Sequence, residues 1–318
     1  MDGSAGTIEV RLLRWSDVPE YLKVVFLGIG DLERATGLDR TSGALIRQLS
    51  RRSTWVVLGF LRLFGRSPLE ILIAVDGKRI AGTGTLIFLR NAGYVAAMVT
   101  APEYRGRGVA ARILDRLRER TERRHRSSLV LDVDADNSVA ISVYRRAGYR
   151  EVARCAWYAR AGPPPTSPAV GGPSRPATKR DLEELLAALD SARSAEYRVA
   201  LPASVSMLSH SELLLSGRGV RRETWVRRSP AGSLLVLRTC FSPEASLGIY
   251  FPMTDPAPPS AEEVAGLFDP GTDWLRPREP AACVAVVAEP VGAVGAALEA
   301  LGFARAGTSV TMLCPSAA

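Results

Sequence analysis

Two glycines alternate with arginines in the stretch TAPEYRGRGVA, which covers residues 100–110. The stretch follows an apolar run and precedes an arginine-rich helical pattern, so Gly106 and Gly108 lie between a strand and a helix. Glycine lets the backbone approach a ligand closely, and the start of a helix offers unpaired N–H groups with a partial positive charge. The pattern indicates an anion cradle for a phosphate. An ordinary turn with solvated arginines is the alternative.

The elements that position this stretch form an alternating pattern of strands and helices. The predicted elements of the first half are a strand at 9–14, helices at 17–27 and 40–51, a hairpin at 69–90, a strand at 92–100, a helix from 109, a strand at 127–135, a helix at 137–148 and a strand at 149–160. They predict a mixed sheet flanked by helices. The glycine turn then lies at the carboxyl end of a strand, where open α/β sheets bind ligands.

A segment rich in proline, glycine and serine divides the chain of 318 residues into two parts. We expect a first domain at 1–160, a linker at 161–178 and a second domain at 179–318. A constant shift of 154 positions places Tyr94–Tyr149 over Gly248–Phe303 with coinciding strand and helix signals. The overlay indicates an internal repeat, and convergent patterning is the alternative.

Composition limits the classes of partner. The net charge is +8, which favours polyanions or anionic small molecules, and we expect no stable complex with nucleic acid. The four cysteines form no CxxC pair, which argues against a zinc site and favours free thiols in a reducing compartment. No signal peptide is indicated, and we expect a cytoplasmic protein. The most apolar run, Trp55–Phe64, is too short to span a membrane. A helix on a membrane surface and a buried helix are the two interpretations of this run.

Two motifs in the first half resemble those of the GNAT superfamily of CoA-dependent N-acyltransferases. Arg105–Ala110 matches the pattern [RQ]-x-x-G-x-[GA], and Asn137–Tyr149 matches N-x-x-A-x-x-x-Y-x-x-x-G-[FY]. The resemblance covers about residues 7–160, and residues 175–318 only as a degraded copy. It implies an α/β (α+β) fold with two GNAT-like domains, each a mixed, mostly antiparallel sheet flanked by helices.

The resemblance also implies a cosubstrate, acetyl-CoA, and the residues that bind it. The backbone amides of the glycine loop would hold the pyrophosphate, and the strand before it would pair with the pantetheine arm. The implied binding residues are Met98, Val99, Thr100, Arg105, Gly106, Arg107, Gly108, Val109, Ala110 and Asn137. Among them, Arg107 to Ala110 supply the amide donors, and Arg105 and Arg107 add positive charge. Asn137 binds pantetheine or caps a helix.

Tyr144 stands in the family's position for the general acid that protonates the leaving thiolate. A buried tyrosine bonded to the backbone is the alternative. A backbone N–H near Met98 can polarise the thioester carbonyl. The general base stays open, because Tyr94–Thr100 contains no acid. The candidates are Glu70, Asp132, Asp134, Asp31, Glu33 and a chain of water molecules.

The second half has lost the residues that carry the motifs. Under the shift of 154, Gly106 falls on Ser260, Gly108 on Glu262 and Tyr144 on Leu298. We therefore expect one acetyl-CoA site per chain, with the second domain as a wall of the acceptor pocket. The predicted function is acetyl-CoA-dependent N-acetylation of a small-molecule amine, and a homodimer is possible. A non-catalytic acyl-CoA-binding or regulatory module is the alternative.

Overall fold

A computed structural model describes residues 8–28, 30, 34, 36, 67–165, 174–191, 194–200, 220–228, 234–243, 245–254, 260–289 and 291–315. The predicted helix at 40–51 and the apolar run at 55–64 lie outside these residues. The strands are β1 (Glu9–Leu12), β2 (Leu69–Asp76), β3 (Arg79–Phe88), β4 (Ala92–Thr100), β5 (Ser128–Asp134), β6 (Arg150–Ala161), β7 (Arg175–Pro176), β8 (Arg221–Arg228), β9 (Leu234–Ser242), β10 (Leu247–Thr254), β11 (Ala282–Ala288) and β12 (Ala304–Pro315). The α-helices are α1 (Val18–Phe26), α2 (Val109–Glu122), α3 (Ser138–Arg146), α4 (Lys179–Ser191), α5 (Ala195–Ala200), α6 (Ala261–Leu275) and α7 (Gly292–Ala300).

The twelve strands form one sheet in the order β1-β2-β3-β4-β5-β12-β6-β11-β10-β9-β8-β7. Two neighbouring pairs are parallel, β4 with β5 and β10 with β11, and the other neighbours are antiparallel. The mixed, mostly antiparallel sheet that the sequence predicts is therefore confirmed. The predicted linker, 161–178, contains sheet residues near both ends, because β6 runs to Ala161 and β7 pairs Arg175–Pro176 with β8.

The last strand of each half completes the sheet of the other half. Strand β12 lies between β5 and β6, and β6 lies between β12 and β11. Each half thus inserts its final strand beside the fifth strand of its neighbour. This exchange joins the two sheets into one. A local hydrophobic pattern shows that a segment is a strand and not which strand it pairs with, so the sequence did not predict the exchange.

The internal repeat is visible in the element boundaries. A shift of 154 places β5 on β11, α3 on α7 and β6 on β12, residue for residue. The two halves differ in their fourth strands. Strand β4 has nine residues, and its pairing with β3 contains a register shift between Thr83 and Thr85. Strand β10 has eight residues and pairs with β9 in one continuous register. Only the first half therefore carries a β-bulge in this strand.

Helices of both halves cover the sheet of the first half. On one face, α2 buries Val109, Ile113, Leu114 and Leu117, the residues that the helical pattern predicts. The glycines of β3 let α2 lie close, because a Cβ on Gly84 would be 2.8 Å from Cγ2 of Ile113. On the other face, α5 of the second half packs Tyr197 and Ala200 in one cluster with Tyr94 of β4. Among the helices of the described ranges, none is both long and apolar enough to cross a membrane.

Candidate active site

The start of α2 is an open turn of backbone amides. Gly106 and Gly108 have φ of +75° and +74°, a left-handed conformation that favours glycine. A Cβ at either position would meet no atom within 4 Å, so the conformation, and not crowding, requires glycine. Gly108 is the N-cap of α2 and has no side chain to accept from the first turn, which also contains no acidic residue. The amides of Val109 and Ala110 therefore have no acceptor within the helix.

Tyr104 fixes the loop that leads into α2. Its ring is buried, and its hydroxyl donates to Oδ2 of Asp76 at 3.1 Å. The guanidinium of Arg107 lies 5.3 Å from the centre of this ring. The amide of Arg107, one of the predicted phosphate donors, donates a long bond of 3.4 Å to the carbonyl of Tyr104. The side chains of Arg105 and Arg107 are exposed and can supply charge to an anion at the loop.

Strands β4 and β5 separate in the middle of the sheet. They pair from Ala92 to Val95, and the last partner on β5 is Leu131. Directly after this point β4 bulges, and Ala97 takes a φ of +48°. The predicted pantetheine partners Met98, Val99 and Thr100 follow the bulge, on the part of β4 that has left β5. An extended ligand can add to such an edge as a further strand does.

Asn137 caps α3, as one of its two predicted roles requires. Its Oδ1 accepts a bond of 3.0 Å from the amide of Ala140. The residue is exposed, and its side-chain NH₂ is the part that can bind a ligand. The capping bond and a ligand bond use different atoms, so the two roles are compatible.

Tyr144 lies against the separating strands on the α2 side of the sheet. It belongs to the cluster that contains Leu131 and Val133 of β5, and its ring centre is 5.8 Å from that of Tyr149. Within the described part of the chain its hydroxyl makes no hydrogen bond, so the alternative of a bond to the backbone has no support there. Burial raises the pKa of Tyr144 to about 12. The phenol is therefore protonated at neutral pH, as a proton donor must be.

Two of the candidate bases have structural roles. Glu70 is fully buried, and its carboxylate accepts bonds of 2.6 and 2.7 Å from Arg120 and one of 3.2 Å from Arg124. Both oxygens of this carboxylate are thus held by guanidinium groups. Asp134 accepts a bond of 3.1 Å from the amide of Asp136 in the turn after β5. Asp31 and Glu33 lie outside the described residues.

Asp132 is placed differently from these acids. It lies one residue beyond Leu131, where the pairing of β4 with β5 ends. The hydroxyl of Tyr94 donates to its Oδ2 at 3.2 Å, and the hydroxyl of Thr311 donates to its Oδ1 at 2.5 Å. Strand alternation directs Asp132 to the face opposite the one that Leu131 and Val133 share with Tyr144. The phenol of Tyr144 and the carboxylate of Asp132 therefore lie on opposite faces of the sheet, at the place where β4 and β5 separate.

The equivalent positions of the second half are closed. Ser260 and Glu263 form a capping box at the start of α6: the amide of Ser260 donates to Oε2 of Glu263 at 2.8 Å, and the amide of Glu263 donates to Oγ of Ser260 at 3.3 Å. The position that matches Met98 is Pro252, which has no N–H. An anion would find capped amides and a carboxylate at this helix.

Comparison with known proteins agrees with the geometry of the first half. Residues 42–149 match the model of the acetyltransferase (GNAT) family. The sequence of this part of the chain is therefore similar to that of GNAT acetyltransferases. A segment of 57 residues is 33% identical to N-alpha-acetyltransferase 30 of Schizosaccharomyces pombe (strain 972 / ATCC 24843), and it spans 18% of the chain and 38% of that relative. The chain thus spans well under half of the length of this curated relative.

Solved structures share the fold of the whole chain. A tandem GNAT protein from the clavulanic acid biosynthesis pathway is 15% identical, with a TM-score of 0.54 over 98% of this chain and 99% of that one. A GCN5-related N-acetyltransferase from Sphaerobacter thermophilus is 15% identical, with a TM-score of 0.57 over 98% and 96% of the two chains. The tandem arrangement predicted from the sequence is therefore confirmed at the level of the fold.

Sequence reasoning missed two features of the site. The bulge of β4 has no signal in AGYVAAMVT, because a non-glycine residue, Ala97, takes the left-handed conformation there. The bond between Thr311 and Asp132 joins residues 179 positions apart and exists only because β12 pairs with β5. The local sequence pattern does not predict such a contact.

Proposed function

We propose that this protein transfers the acetyl group of acetyl-CoA to the amine of a small molecule, at one site in the first half. The observation that carries the proposal is the continuity of Met98–Ala110. This one stretch supplies the free edge of β4 and, through the glycine loop, the open amides of α2. An extended thioester whose other end is a pyrophosphate needs these two features side by side.

The residues around the separated strands supply the chemistry of direct transfer. The thioester provides an activated acyl group. Asp132 takes a proton from the attacking amine on one face of the sheet, and the Met98 amide stabilises charge on the carbonyl oxygen. As the C–N bond forms and the C–S bond breaks, Tyr144 gives its proton to the thiolate on the other face and regains one from solvent. Asn137 and the loop hold the cosubstrate.

The acceptor class rests on the cover that the second half provides. Helix α5 packs on the face of the sheet that carries Tyr94 and Asp132, which limits the space for a large acceptor. A peptide N-terminus is the other amine to test, because the curated relative is named an N-alpha-acetyltransferase. Release of free thiol from acetyl-CoA should be followed with a panel of small amines and a panel of peptides. Turnover with small amines supports the proposal. Turnover with peptides alone contradicts the acceptor class, and binding without any turnover favours a regulatory acyl-CoA-binding module.

Matched carboxylate variants test the base. We expect Asp132→Asn to lower kcat by about 100-fold or more, the contribution of a positioned base. Glu70→Gln should keep kcat, although it breaks the ion pairs with Arg120 and Arg124 and lowers the melting temperature. The opposite pattern, a loss of kcat with Glu70→Gln alone, would move the base to β2.

A cytoplasmic location and a homodimer remain predictions.

A further inference from the structure

Both carboxylate oxygens of Asp132 are held by hydroxyl groups, and the two hydroxyls come from different halves of the chain. Tyr94 of β4 donates to Oδ2, and Thr311 of β12 donates to Oδ1. A carboxylate offers about four lone pairs, and these two donors fix its orientation. The shorter of the two bonds, 2.5 Å, is the one from the second half.

Thr311 reaches Asp132 only because the last strands are exchanged. Strand β12 pairs with β5 in a register that places Thr311 opposite Asp132. The alignment of β6 with β11 places Trp157 opposite Val286. The shift of 154 relates these two pairs, since Trp157 matches Thr311 and Asp132 matches Val286. The same exchange therefore brings a polar pair to the half with the glycine loop and an apolar pair to the half without it.

We infer that Thr311 is a positioning residue for Asp132, so the second half completes the active site of the first through its exchanged strand. The inference rests on the proposed function, in which Asp132 is the base. A short hydrogen bond to a carboxylate oxygen fixes the orientation of the carboxylate beside the separated strands. The second half then has a role in the reaction although its own helix start is closed to anions.

Variants of Thr311 separate positioning from folding. Thr311→Val keeps the shape of the side chain and removes the donor, and we expect kcat to fall about tenfold or more with unchanged acetyl-CoA affinity. Thr311→Ser restores the hydroxyl and should recover most of kcat. In the Asp132→Asn background, Thr311→Val should have little further effect, because its action passes through Asp132.

Ser309→Ala is the matched control on the same strand. Ser309 accepts the buried bond of 2.8 Å from Nε1 of Trp157, so its loss weakens the exchanged strand without touching Asp132. We expect a lower melting temperature and a wild-type kcat. Two results with an active wild type would overturn this inference and leave the proposed function intact. One is a Thr311→Val variant that keeps full kcat, and the other is an equal loss of kcat in Ser309→Ala and Thr311→Val. A wild type that binds acetyl-CoA and acetylates no amine would overturn the proposed function and this inference with it.

Discussion

Helices α2 and α6 occupy the same place in the two halves and begin in opposite ways. The first turn of α2 follows Gly108 and leaves its amides open, whereas Ser260 and Glu263 cap the first turn of α6 with their side chains. Both ends satisfy the physical requirement for partners at a helix start. In α6 the partners are built into the chain. For α2 the described residues supply no such side-chain cap, and water or a bound anion can take that place. This difference identifies the half that binds acetyl-CoA in our proposal.

In contrast, an ion pair between an arginine and an aspartate is present in both halves. Arg11 binds Asp17 through two bonds of 2.6 and 2.9 Å, and Arg175 binds Asp181 through two bonds of 2.7 and 2.8 Å. Each aspartate also accepts a backbone amide at 2.8 Å, three residues before it in the chain. These pairs tie the first strand of each half to the helix that follows. The repeat has kept these ion pairs in both halves and the glycine loop in one.

The largest effect should come from giving the start of α2 a carboxylate like that of α6. We expect Gly108→Glu to weaken acetyl-CoA binding by on the order of 100-fold or more, because the charge repels the pyrophosphate and competes for the amides. Calorimetric titration measures this affinity. Gly162→Glu is the control, since Gly162 also has a positive φ, +64°, and open space around it. Normal affinity in a folded Gly108→Glu protein would remove the glycine loop from the site.

A smaller effect is expected from two tyrosines that lie in contact. Tyr144→Phe should lower kcat by about tenfold or more and leave acetyl-CoA affinity unchanged, because only the proton donor is lost. Tyr149→Phe should keep kcat. Its hydroxyl is buried without a hydrogen-bond partner within the described residues, and the second half has Phe303 at the matching position. Equal kinetics of the two variants would show that Tyr144 is a packing residue.

The smallest effect concerns the pairs that both halves share. Bonds from Arg11 and Arg175 lower the pKa of Asp17 and of Asp181 below the ordinary value of 3.8. Each carboxylate therefore stabilises the fold above pH about 4 and loses this contribution as the pH falls through its lowered pKa. Asp17→Asn and Asp181→Asn should each reduce the melting temperature slightly at pH 7, and the difference from wild type should shrink in acid. Melting curves between pH 7 and pH 3 measure it, and a difference that grows in acid would contradict the assignment.

Much of the fold and of the candidate site follows from local sequence. Two apolar runs around the turn at Asp76-Gly77 predict β2 and β3, and the glycine loop is predicted at the residues where the structure has positive φ. Long-range pairing lies beyond such reasoning. Three features depend on which elements pack together: the bond between Thr311 and Asp132, the bulge at Ala97 and the burial of Glu70 against α2. Tertiary packing decides those contacts, and the pattern of a single sequence does not predict it.

The stoichiometry of acetyl-CoA binding tests the difference between the halves most directly. Calorimetric titration of the full chain should give one site per chain, and the count should stay at one in Glu263→Gln, which removes the carboxylate from the start of α6. A stoichiometry of two equivalent sites would contradict the account. So would a single site that survives Gly108→Glu unchanged and is lost on substitution of Ser260 or Glu263.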